Sequence, residues 1–461
     1  MTLWTSAEIA AATGGTASTD FIVSGVAFDS REVGPGDLFI ALKGEATDGH
    51  RFLDQCFAQG AAGALVSADT RHPHVRVADT TAALEALARA SRARTSAKII
   101  GVTGSVGKTG TKEALFAALD RGARGQAHRS VKSYNNHTGV PLSLARMPAE
   151  SRFGVFEMGM NHAGELAALT RIVRPHIALV TAIAPAHTAF FSGEEAIADA
   201  KGEIFQGLEP GGTAIVPFDS PHRDRLIAAA TPYAAHIVTF GSGAGADVRA
   251  IEAMPVASGG TFVTARLGDH ELNYTISQPG AHWVSNTLAV LAAVRAAGGD
   301  LALAGLALAE MEGLTGRGAR FTVPVGAKGL GGEALVIDES YNANPSSMRA
   351  TLAVLAQQTA TRKLVVLGEM RELGEGSDAY HAGLAAPIRA AGVETGILVG
   401  ESMRALSNVL EGQGDFVHVP DAAAARERLR ALLAPGDAVL IKGSNGVGLS
   451  AVVAALRSGI G

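Results

Sequence analysis

The stretch AKIIGVTGSVGKTGTKE, at residues 97–113, constrains the fold of this chain more than any other. It combines a continuous apolar run typical of a buried strand, a glycine-rich loop, and the start of a helix with apolar residues at helical spacing. Further strand-like runs follow at FGVFEMG, HIALVTAI and TAIVPF, with helix-like segments between the runs. Because alternating strands and helices are joined by crossover connections, the pattern predicts a parallel sheet covered by helices.

The 461 residues divide into three segments, as expected at about 150 residues per domain. Residues 1–84 have short strand-like runs between glycine and proline turns, which predict a small α/β domain. Residues 85–314 predict the central parallel-sheet domain, with an antiparallel extension at about residues 247–276, where the sequence alternates at period two. Residues 315–461 predict a Rossmann-like, doubly wound sheet. The predicted fold class is α/β with three domains.

The composition excludes several classes of protein. A net charge of −5 argues against nucleic-acid binding, and the single cysteine, Cys56, excludes an internal disulfide or a cysteine metal cluster. The N-terminus lacks the pattern of a signal peptide, and no apolar run approaches the roughly 18 residues of a membrane helix. We expect a cytoplasmic protein without a membrane span, acting as a monomer on small molecules.

The loop GVTGSVGKTGTKE has the residues that hold phosphates. Gly104 and Gly107 let backbone N–H groups approach closely, Lys108 can reach β- and γ-phosphates, and the Thr109 hydroxyl can hold Mg²⁺. Val102 stands where the general G-x-x-x-x-G-K-[ST] pattern has its first glycine, so a chance G-K-T turn is the alternative. The strand before the loop and the helix after it favour a nucleotide site. A second glycine loop, KGSNGVGLS, is interpreted as a tight strand-to-helix turn.

Two more residues are predicted at the same edge of the sheet as the phosphate loop. Glu157 ends the strand FGVFE, and His187 comes just after the strand HIALVTAI. Ligands of open parallel sheets bind outside the carboxyl ends of the strands. A carboxylate there is a candidate Mg²⁺ ligand, with a solvated strand-end glutamate as the alternative. The histidine is distinguished by its position alone.

Lys201 is unusual because it lies on the apolar face of a helix predicted from Glu194 to Leu208. Its ammonium can reach water along a packed stem, or pair with a buried carboxylate. Alternatively its amine is desolvated, which lowers its pKa and permits special chemistry. The next residue, Gly202, suggests a packing or functional reason, because glycine inside a helix costs about 1 kcal/mol.

Taken together, the separated motifs resemble those of the Mur ligase family, in the family's order and over nearly the whole chain. The stretches that carry the resemblance are FDSREVGPGDLFIALKGEATDGHRF, GVTGSVGKTGTKE, SYNNHTGVPLSL, FEMGMNHAGEL, APAHTAFFSGEEAIADAKGEIFQGL, IDESYNANPSSM, LGEMRELGE and IKGS. Within the family, YNANPSSM and LGEMRELGE are similar to the branch that adds D-alanyl-D-alanine.

The resemblance implies ATP-dependent amide formation in peptidoglycan precursor synthesis. The terminal carboxylate of UDP-N-acetylmuramoyl-tripeptide would take the γ-phosphoryl group, and the amine of D-alanyl-D-alanine would displace phosphate from the acyl phosphate. Residues 1–84 would bind the UDP-sugar, 85–314 would bind ATP, and 315–461 would close over the nucleotide. ATP and two Mg²⁺ ions are the implied cofactors.

The resemblance also assigns roles to individual residues. The ATP-binding residues would be Gly104, Ser105, Val106, Gly107, Lys108, Thr109, Asn286 (adenine), Arg317 (γ-phosphate) and Asp338 (ribose). The catalytic and metal-binding residues would be Lys108, Thr109, Glu157, His187 and a carbamylated Lys201, whose formation needs a neutral amine. The substrate residues would be Ser30, Arg31, Asn135 and Asn136, with Tyr341, Asn342 and Asn344 on the acceptor side.

Two positions depart from the family pattern. Gly110 stands where a threonine or serine is usual, and Trp283 stands where an asparagine is expected. The alternatives are a sister Mur ligase, a folylpolyglutamate-synthase-like ligase, a P-loop kinase or nucleotide switch, and a catalytically silent binding partner. Neither the third residue of the tripeptide, lysine or diaminopimelate, nor the individual D-alanyl-D-alanine contacts follow from the sequence.

Overall fold

The first unit of the chain is a small α/β layer, as predicted. The computed structural model describes residues 2–44, 47–185, 188–256, 260–326 and 331–459. The sheet has the order β2-β7-β6-β5-β4, with β4 to β7 parallel and β2 antiparallel, and β1 pairs separately with β3. Its elements are β1 (Trp4–Thr5), α1 (Ser6–Thr13), β2 (Thr16–Ala17), β3 (Ile22–Val23), β4 (Gly25–Ala27), β5 (Asp37–Ile40), α2 (Leu53–Ala58), β6 (Gly63–Val66), β7 (His74–Arg76) and α3 (Thr80–Ala93).

Helix α3 crosses the predicted boundary between residues 84 and 85. It contributes Leu84 and Leu87 to the core of the first unit, while Ala88 belongs to a core of the central unit. One helix therefore serves two hydrophobic cores, and the exact boundary stays a prediction.

The central unit is built on a nine-stranded sheet of order β16-β15-β14-β13-β12-β11-β8-β10-β9. Strands β8 to β13 are parallel to their neighbours, and β14 is parallel to β13. The pairs β14–β15 and β15–β16 are antiparallel, which confirms the predicted extension. The elements are β8 (Lys98–Thr103), α4 (Lys108–Ala123), β9 (Ala127–Arg129), α5 (Gly139–Ala145), β10 (Phe153–Glu157), α6 (Glu165–Val173), β11 (Ile177–Val180), α7 (Glu194–Gly202), β12 (Thr213–Pro217), α8 (Arg223–Ala230), β13 (His236–Gly241), β14 (Val248–Pro255), β15 (Thr261–Leu267), β16 (His270–Ile276), α9 (Ala281–Ala296) and α10 (Leu301–Glu310).

The predicted helix from Glu194 to Leu208 is wrong in its second half. Helix α7 ends at Gly202, and the chain continues as a tighter 3₁₀ turn over Glu203–Gly207. In that turn the carbonyl of Ile204 accepts a hydrogen bond of 2.7 Å from the Thr170 hydroxyl. A side chain outside the helix thus binds a carbonyl that a regular helix would use.

The C-terminal unit is the predicted second parallel sheet, with one antiparallel strand at its edge. The order is β17-β18-β22-β19-β20-β21, and only the pair β17–β18 is antiparallel within the described part of the chain. The elements are β17 (Ala319–Val325), β18 (Gly332–Glu339), α11 (Pro345–Ala356), β19 (Arg362–Gly368), α12 (Ser377–Ala382), α13 (Ala385–Ala390), β20 (Thr395–Val399), α14 (Arg404–Leu410), β21 (Asp415–Val419), α15 (Ala422–Leu432), β22 (Asp437–Lys442) and α16 (Leu449–Arg457). None of the helices in the described ranges is long and apolar enough to cross a membrane.

Candidate active site

The candidate site lies at the carboxyl ends of three neighbouring parallel strands. Strand β8 runs between β10 and β11, so the loop that follows β8 is flanked by the ends of both neighbours. In this loop Gly104 has a φ of +148° and Gly107 a φ of +83°, angles that favour glycine. Gly107 is also the residue before helix α4, so the helix N-terminus points its free N–H groups into the loop.

A cavity of about 480 Å³ opens beside this loop, between the central and C-terminal units. Most of the predicted nucleotide and acceptor residues line it, which brings together segments that are far apart in the sequence. These residues are Ser105, Val106, Gly107, Lys108, Thr109, Asn135, Glu157, Asn286, Arg317, Tyr341, Asn342 and Asn344. Gly104, Asn136, Lys201, Asp338, Ser30 and Arg31 are not part of its lining.

Glu157 is the centre of a buried polar network. Its side chain is 1% exposed, and its two oxygens accept from Thr109 Oγ1 at 2.8 Å and Asn135 Nδ2 at 2.7 Å. The backbone N–H of Glu157 donates to Ser130 Oγ at 2.9 Å, which fixes the strand end itself. A hydroxyl and a carboxylate beside a phosphate loop are donors that suit Mg²⁺, which is usually held by one or two carboxylates plus substrate phosphates. Among the described residues, no cluster of three or more acidic, histidine or cysteine side chains could hold a metal ion by itself. Phosphate oxygens would therefore have to complete such a site.

The side chain of Lys108 is bound to the backbone of the same loop. Its Nζ donates to the carbonyl oxygen of Gly104 at 2.6 Å. Burial lowers the pKa of its ammonium, the nearby Arg317 lowers it further, and the carboxylate of Glu157 raises it. A phosphate in the cavity would give this lysine an anionic partner in place of a carbonyl.

Lys201 is buried, and this favours the desolvated amine among the alternatives left open by the sequence. Its side chain is 1% exposed, and among the described residues no ion pair of its amine with a carboxylate is found. Burial lowers the pKa of this amine well below its usual value, the charge of Lys108 lowers it further, and Glu203 raises it. Next to it, a Cβ on Gly202 would come within 2.8 Å of the Cβ of Ala229, so this glycine allows α7 to pack on α8.

His187, predicted to bind the second Mg²⁺ from the loop after β11, lies outside the described residues. The residues that follow it contact the C-terminal unit through hydrogen bonds. Thr188 Oγ1 donates to the carbonyl of Leu373 at 3.0 Å, and the N–H of Ala189 donates to the carbonyl of Glu372 at 3.2 Å. Residues 188 and 189, which follow the predicted ligand, are therefore held by the GEMREL segment (residues 368–373) of the C-terminal unit.

The C-terminal unit contributes the opposite wall of the cavity. Arg317 lies over the ring of Tyr341, with the guanidinium 4.2 Å from the ring centroid, and donates to Ser133 Oγ at 3.1 Å. Asn344 caps helix α11 and exchanges hydrogen bonds with Ser347, so its side chain is already in use.

The predicted ribose contact of Asp338 is not seen in this geometry. The carboxylate is 0% exposed and accepts from the N–H of Gly316 at 2.8 Å and from Ser340 Oγ at 2.7 Å. These bonds hold the turn that precedes Arg317. Asn286 lies beside the phosphate loop, because a Cβ on Gly107 would come within 2.9 Å of its Oδ1, and its adenine contact stays a prediction.

The predicted sugar-side residues are divided between two places. Asn135 lines the cavity, while Asn136 Oδ1 accepts from the N–H of Gly139, the first residue of helix α5, at 2.9 Å. Arg31 is largely exposed and forms an ion pair of 2.6 Å with Asp29, after strand β4, and Ser30 lies between them.

Several residues of the cavity were not predicted as site residues, namely Ser133, His282, Glu339 and Lys442, while Trp283 was named only as a departure from the family pattern. Lys442 ends strand β22, and its Nζ donates to the carbonyl of Asn342 at 2.8 Å and lies 3.6 Å from Glu339 Oε2. Burial lowers the pKa of Lys442 and raises that of Glu339. Lys442 belongs to the IKGS motif, and its position at a strand end was a usable signal. Burial also lowers the pKa of His282 to about 4, so this imidazole is neutral at pH 7.

Comparison with known proteins finds three matching family models that together span most of the chain. They are "Mur ligase family, catalytic domain" over residues 22–93, "Mur ligase middle domain" over 102–294 and "Mur ligase, glutamate ligase domain" over 320–445. The chain is 35% identical over 442 residues to the UDP-N-acetylmuramoyl-tripeptide–D-alanyl-D-alanine ligase of Escherichia coli, covering 95% of this chain and 94% of that protein.

Solved structures agree with these matches. MurF from Acinetobacter baumannii is 31% identical with a TM-score of 0.83, and 99% of each chain is covered. MurF from Thermotoga maritima, solved in complex with ADP, shares the fold at 24% identity and a TM-score of 0.75, with 95% of this chain and 97% of that chain covered.

Proposed function

The chain belongs to the Mur ligase family, and we propose that it is the ATP-dependent ligase that joins D-alanyl-D-alanine to UDP-N-acetylmuramoyl-tripeptide in peptidoglycan precursor synthesis. The observation that carries the proposal is the single cavity where the phosphate loop meets Glu157, Arg317 and the YNAN segment of the C-terminal unit. A kinase or nucleotide switch would not require this second wall. The end-to-end similarity to the Escherichia coli ligase supports the choice of dipeptide over a single amino acid.

The reaction requires two anions, ATP and a carboxylate, to approach each other. The substrate carboxylate attacks the γ-phosphorus and ADP leaves, giving an acyl phosphate. The dipeptide amine then attacks the acyl carbon, loses a proton, and inorganic phosphate leaves. We assign Lys108 and the backbone N–H groups of residues 104–109 to the β- and γ-phosphates, with Arg317 on the γ-phosphate from the other wall. These donors offset the charge that would otherwise keep the anions apart.

Thr109 and Glu157 would hold one Mg²⁺, because their oxygens face each other beside the loop. His187 and Lys201 would support a second. Bound Mg²⁺ supplies charge neutralisation to the phosphoryl transfer. Asn135 keeps the Glu157 carboxylate in place through its hydrogen bond to Oε1.

For Lys201 we propose carbamylation. A neutral amine can add CO₂ and release a proton, which turns a potential cation into an anion. The lowered pKa of this buried amine favours the neutral form that the reaction needs. The modification is tested by ¹³C NMR of enzyme equilibrated with ¹³C-bicarbonate. A carbamate signal that is absent from Lys201→Met is expected, and no signal from the unaltered enzyme would contradict the assignment.

The remaining contacts follow from the same cavity. We assign Asn286 to the adenine side, and Asn135, Tyr341, Asn342 and Asn344 to the tripeptide and dipeptide. Asp338 acts through the turn that it holds before Arg317 and not by touching the ribose. Ser30, Arg31 and Asn136 would bind the UDP-sugar from the first unit and the adjoining loop.

One assay tests the proposed function. Phosphate release from ATP is measured with UDP-N-acetylmuramoyl-tripeptide, with and without D-alanyl-D-alanine. We expect release that depends on the dipeptide and is lost in Lys108→Met. Lys98→Met is the matched control, because Lys98 is an exposed lysine at the far end of strand β8. Release that ignores the dipeptide, or that requires a single amino acid, would overturn the assignment.

We also propose that the enzyme acts as a monomer in the cytoplasm, where ATP is available. Light scattering after size-exclusion chromatography tests the monomer, and a dimer at assay concentrations would contradict it.

A further inference from the structure

The two departures from the family pattern touch each other in the structure. Trp283 lies in the first turn of helix α9, and Gly110 in the first turn of helix α4. A Cβ built on Gly110 would lie 3.0 Å from Cη2 and 3.4 Å from Cζ2 of the Trp283 indole. The indole therefore occupies the space where a side chain at position 110 would be.

Both residues line the nucleotide cavity, and the indole is 7% exposed. Gly110 directly follows Thr109, so the ring packs against the turn of α4 that is predicted to hold phosphates. One helical turn after Trp283, the side chain of Asn286 lies against Gly107 of the phosphate loop. The ring of His282 is tilted against the indole, with the centroids 6.2 Å apart. The first turn of α9 thus faces the cavity with uncharged groups, next to the cations Lys108 and Arg317.

We propose that Trp283 contacts the nucleoside part of the bound nucleotide, and that Gly110 and Trp283 are a coupled pair in which the glycine makes room for the ring. The proposal rests on ATP as the substrate. An indole has one N–H donor and a large apolar face, so it suits a base or a ribose better than a phosphate. Stacking of an aromatic side chain on a base tolerates any base, because every base has a π-face.

Intrinsic fluorescence provides the first test, because the chain has only two tryptophans, Trp4 and Trp283. Trp4 lies in the core of the first unit, where its Nε1 donates to the carbonyl of Ala145. ADP is titrated into the full chain, and binding is measured in parallel by calorimetry. We expect ADP to change the emission of the unaltered protein and of Trp4→Phe, but not that of Trp283→Phe. An emission change that persists in Trp283→Phe overturns the proposal.

A double-mutant cycle on the KM for ATP tests the coupling. Gly110→Ala alone should raise this KM about tenfold or more, because the new Cβ forces the indole to shift. Trp283→Leu alone should raise it by about the same factor, through loss of the aromatic contact. In the Trp283→Leu background, Gly110→Ala should have little further effect, since the space is free. Equal effects of Gly110→Ala in both backgrounds overturn the coupling.

Two controls separate this proposal from a general loss of structure and from the proposed function. Alanine is the better helix former, so a lower affinity in Gly110→Ala runs against intrinsic helix propensity. The KM for D-alanyl-D-alanine should stay unchanged in all variants, whereas a change in both KM values indicates a disturbed fold and contradicts a nucleoside contact. If ADP binds the unaltered protein without an emission change, only this inference fails. If calorimetry detects no ADP binding, the proposed function fails with it.

Discussion

Replacement of Lys112 by methionine should destabilise the central unit and increase the mobility of the loop whose Asn135 holds Glu157, the proposed Mg²⁺ ligand. Lys112 is fully buried in helix α4, and its Nζ donates to the carbonyls of Ser130 and Lys132, each at 2.8 Å. It also lies 2.7 Å from Glu113 Oε1. The lysine thus ties the helix that follows the phosphate loop to the segment of residues 130–136, which we call the hub loop.

The hub loop contacts all three units of the chain. Tyr134 OH donates to Glu32 of the first unit at 2.7 Å. Asn135 holds the Glu157 carboxylate, and Ser133 accepts from Arg317 of the C-terminal unit. Loss of the anchor below this loop should therefore disturb Glu157, the proposed metal ligand, and both interdomain contacts.

The magnitude follows from the contacts of Lys112. Hydrogen bonds from a charged donor contribute about 1.5–3 kcal/mol each, and two buried carbonyls would lose their partner. Breaking a buried charged pair costs about 3–5 kcal/mol. Glu113 keeps a second cation, Arg129, at 2.6 Å, so the loss of its ion pair is partial. Methionine preserves the volume of the stem, so little cavity term is added. We expect the free energy of unfolding to fall by about 3–5 kcal/mol, since the terms do not add fully.

The assay is urea unfolding of the full chain followed by circular dichroism, with hydrogen exchange of the hub loop measured in parallel. Lys98→Met is the matched control, because this exposed lysine should change stability by less than about 0.5 kcal/mol. A loss below about 1 kcal/mol in Lys112→Met, or unchanged exchange of residues 130–136, would refute the reasoning.

Three further outcomes follow from the buried ionisable groups. Glu157→Gln should lower kcat/KM by about 100-fold or more, with a higher Mg²⁺ requirement but little change in thermal stability, because the Thr109 and Asn135 partners can rotate to match an amide. Lys201→Met should remove activity, yet in enzyme freed of CO₂ and Mg²⁺, where Lys201 carries a free amine, it should raise the free energy of unfolding at pH 7. The folded pKa lies below the unfolded one, so folding releases a proton, stability rises with pH up to about 10.5, and this part of the slope should vanish in the variant. Burial lowers the pKa of His128 to about 4, so the unfolded chain binds a proton that the folded chain does not between pH 6.5 and about 4. The free energy of unfolding should fall by about 3 kcal/mol as the pH decreases through this window. His128→Gln can still donate to the Ser143 carbonyl, and it should show a smaller fall in acid titrations of unfolding.

Local pattern was sufficient for most of the fold. Alternating strands and helices predicted both parallel sheets, and period-two alternation predicted β14 to β16. The 3₁₀ turn after Gly202 was missed because it depends on a distant partner, the Thr170 hydroxyl. Strand β17 was missed because it follows a turn-rich stretch and lies at the edge of its sheet, where the described residues pair it with β18, the next strand along the chain.

The site was predictable where a motif coincides with a strand end. Glu157 could be placed beside the phosphate loop because parallel strands end at the same edge, and the structure pairs it with Thr109. Trp283 and Lys112 could not be placed in this way. The contact of Trp283 with Gly110 depends on the packing of α9 against α4, and the partners of Lys112 are backbone carbonyls, which leave no residue type to recognise.

The second glycine loop, KGSNGVGLS, shows how the two sheets assemble one site. Strand β22 is adjacent to β19, so Ser444 meets the GEMREL segment, where its Oγ accepts from the N–H of Arg371 at 3.0 Å. The next two residues of that segment, Glu372 and Leu373, accept from the N–H of Ala189 and from the Thr188 hydroxyl, in the loop after β11. On the other side, Arg317 binds the hub loop after β9.

The C-terminal unit is therefore attached to loops on both sides of the phosphate loop. Those loops carry Asn135, which holds Glu157, and the predicted ligand His187. A movement that closed or opened the C-terminal unit would shift both loops with it. We expect closure of the cavity to bring the proposed metal ligands into place at the same time, a coupling that would keep ATP from reacting before both walls are in place.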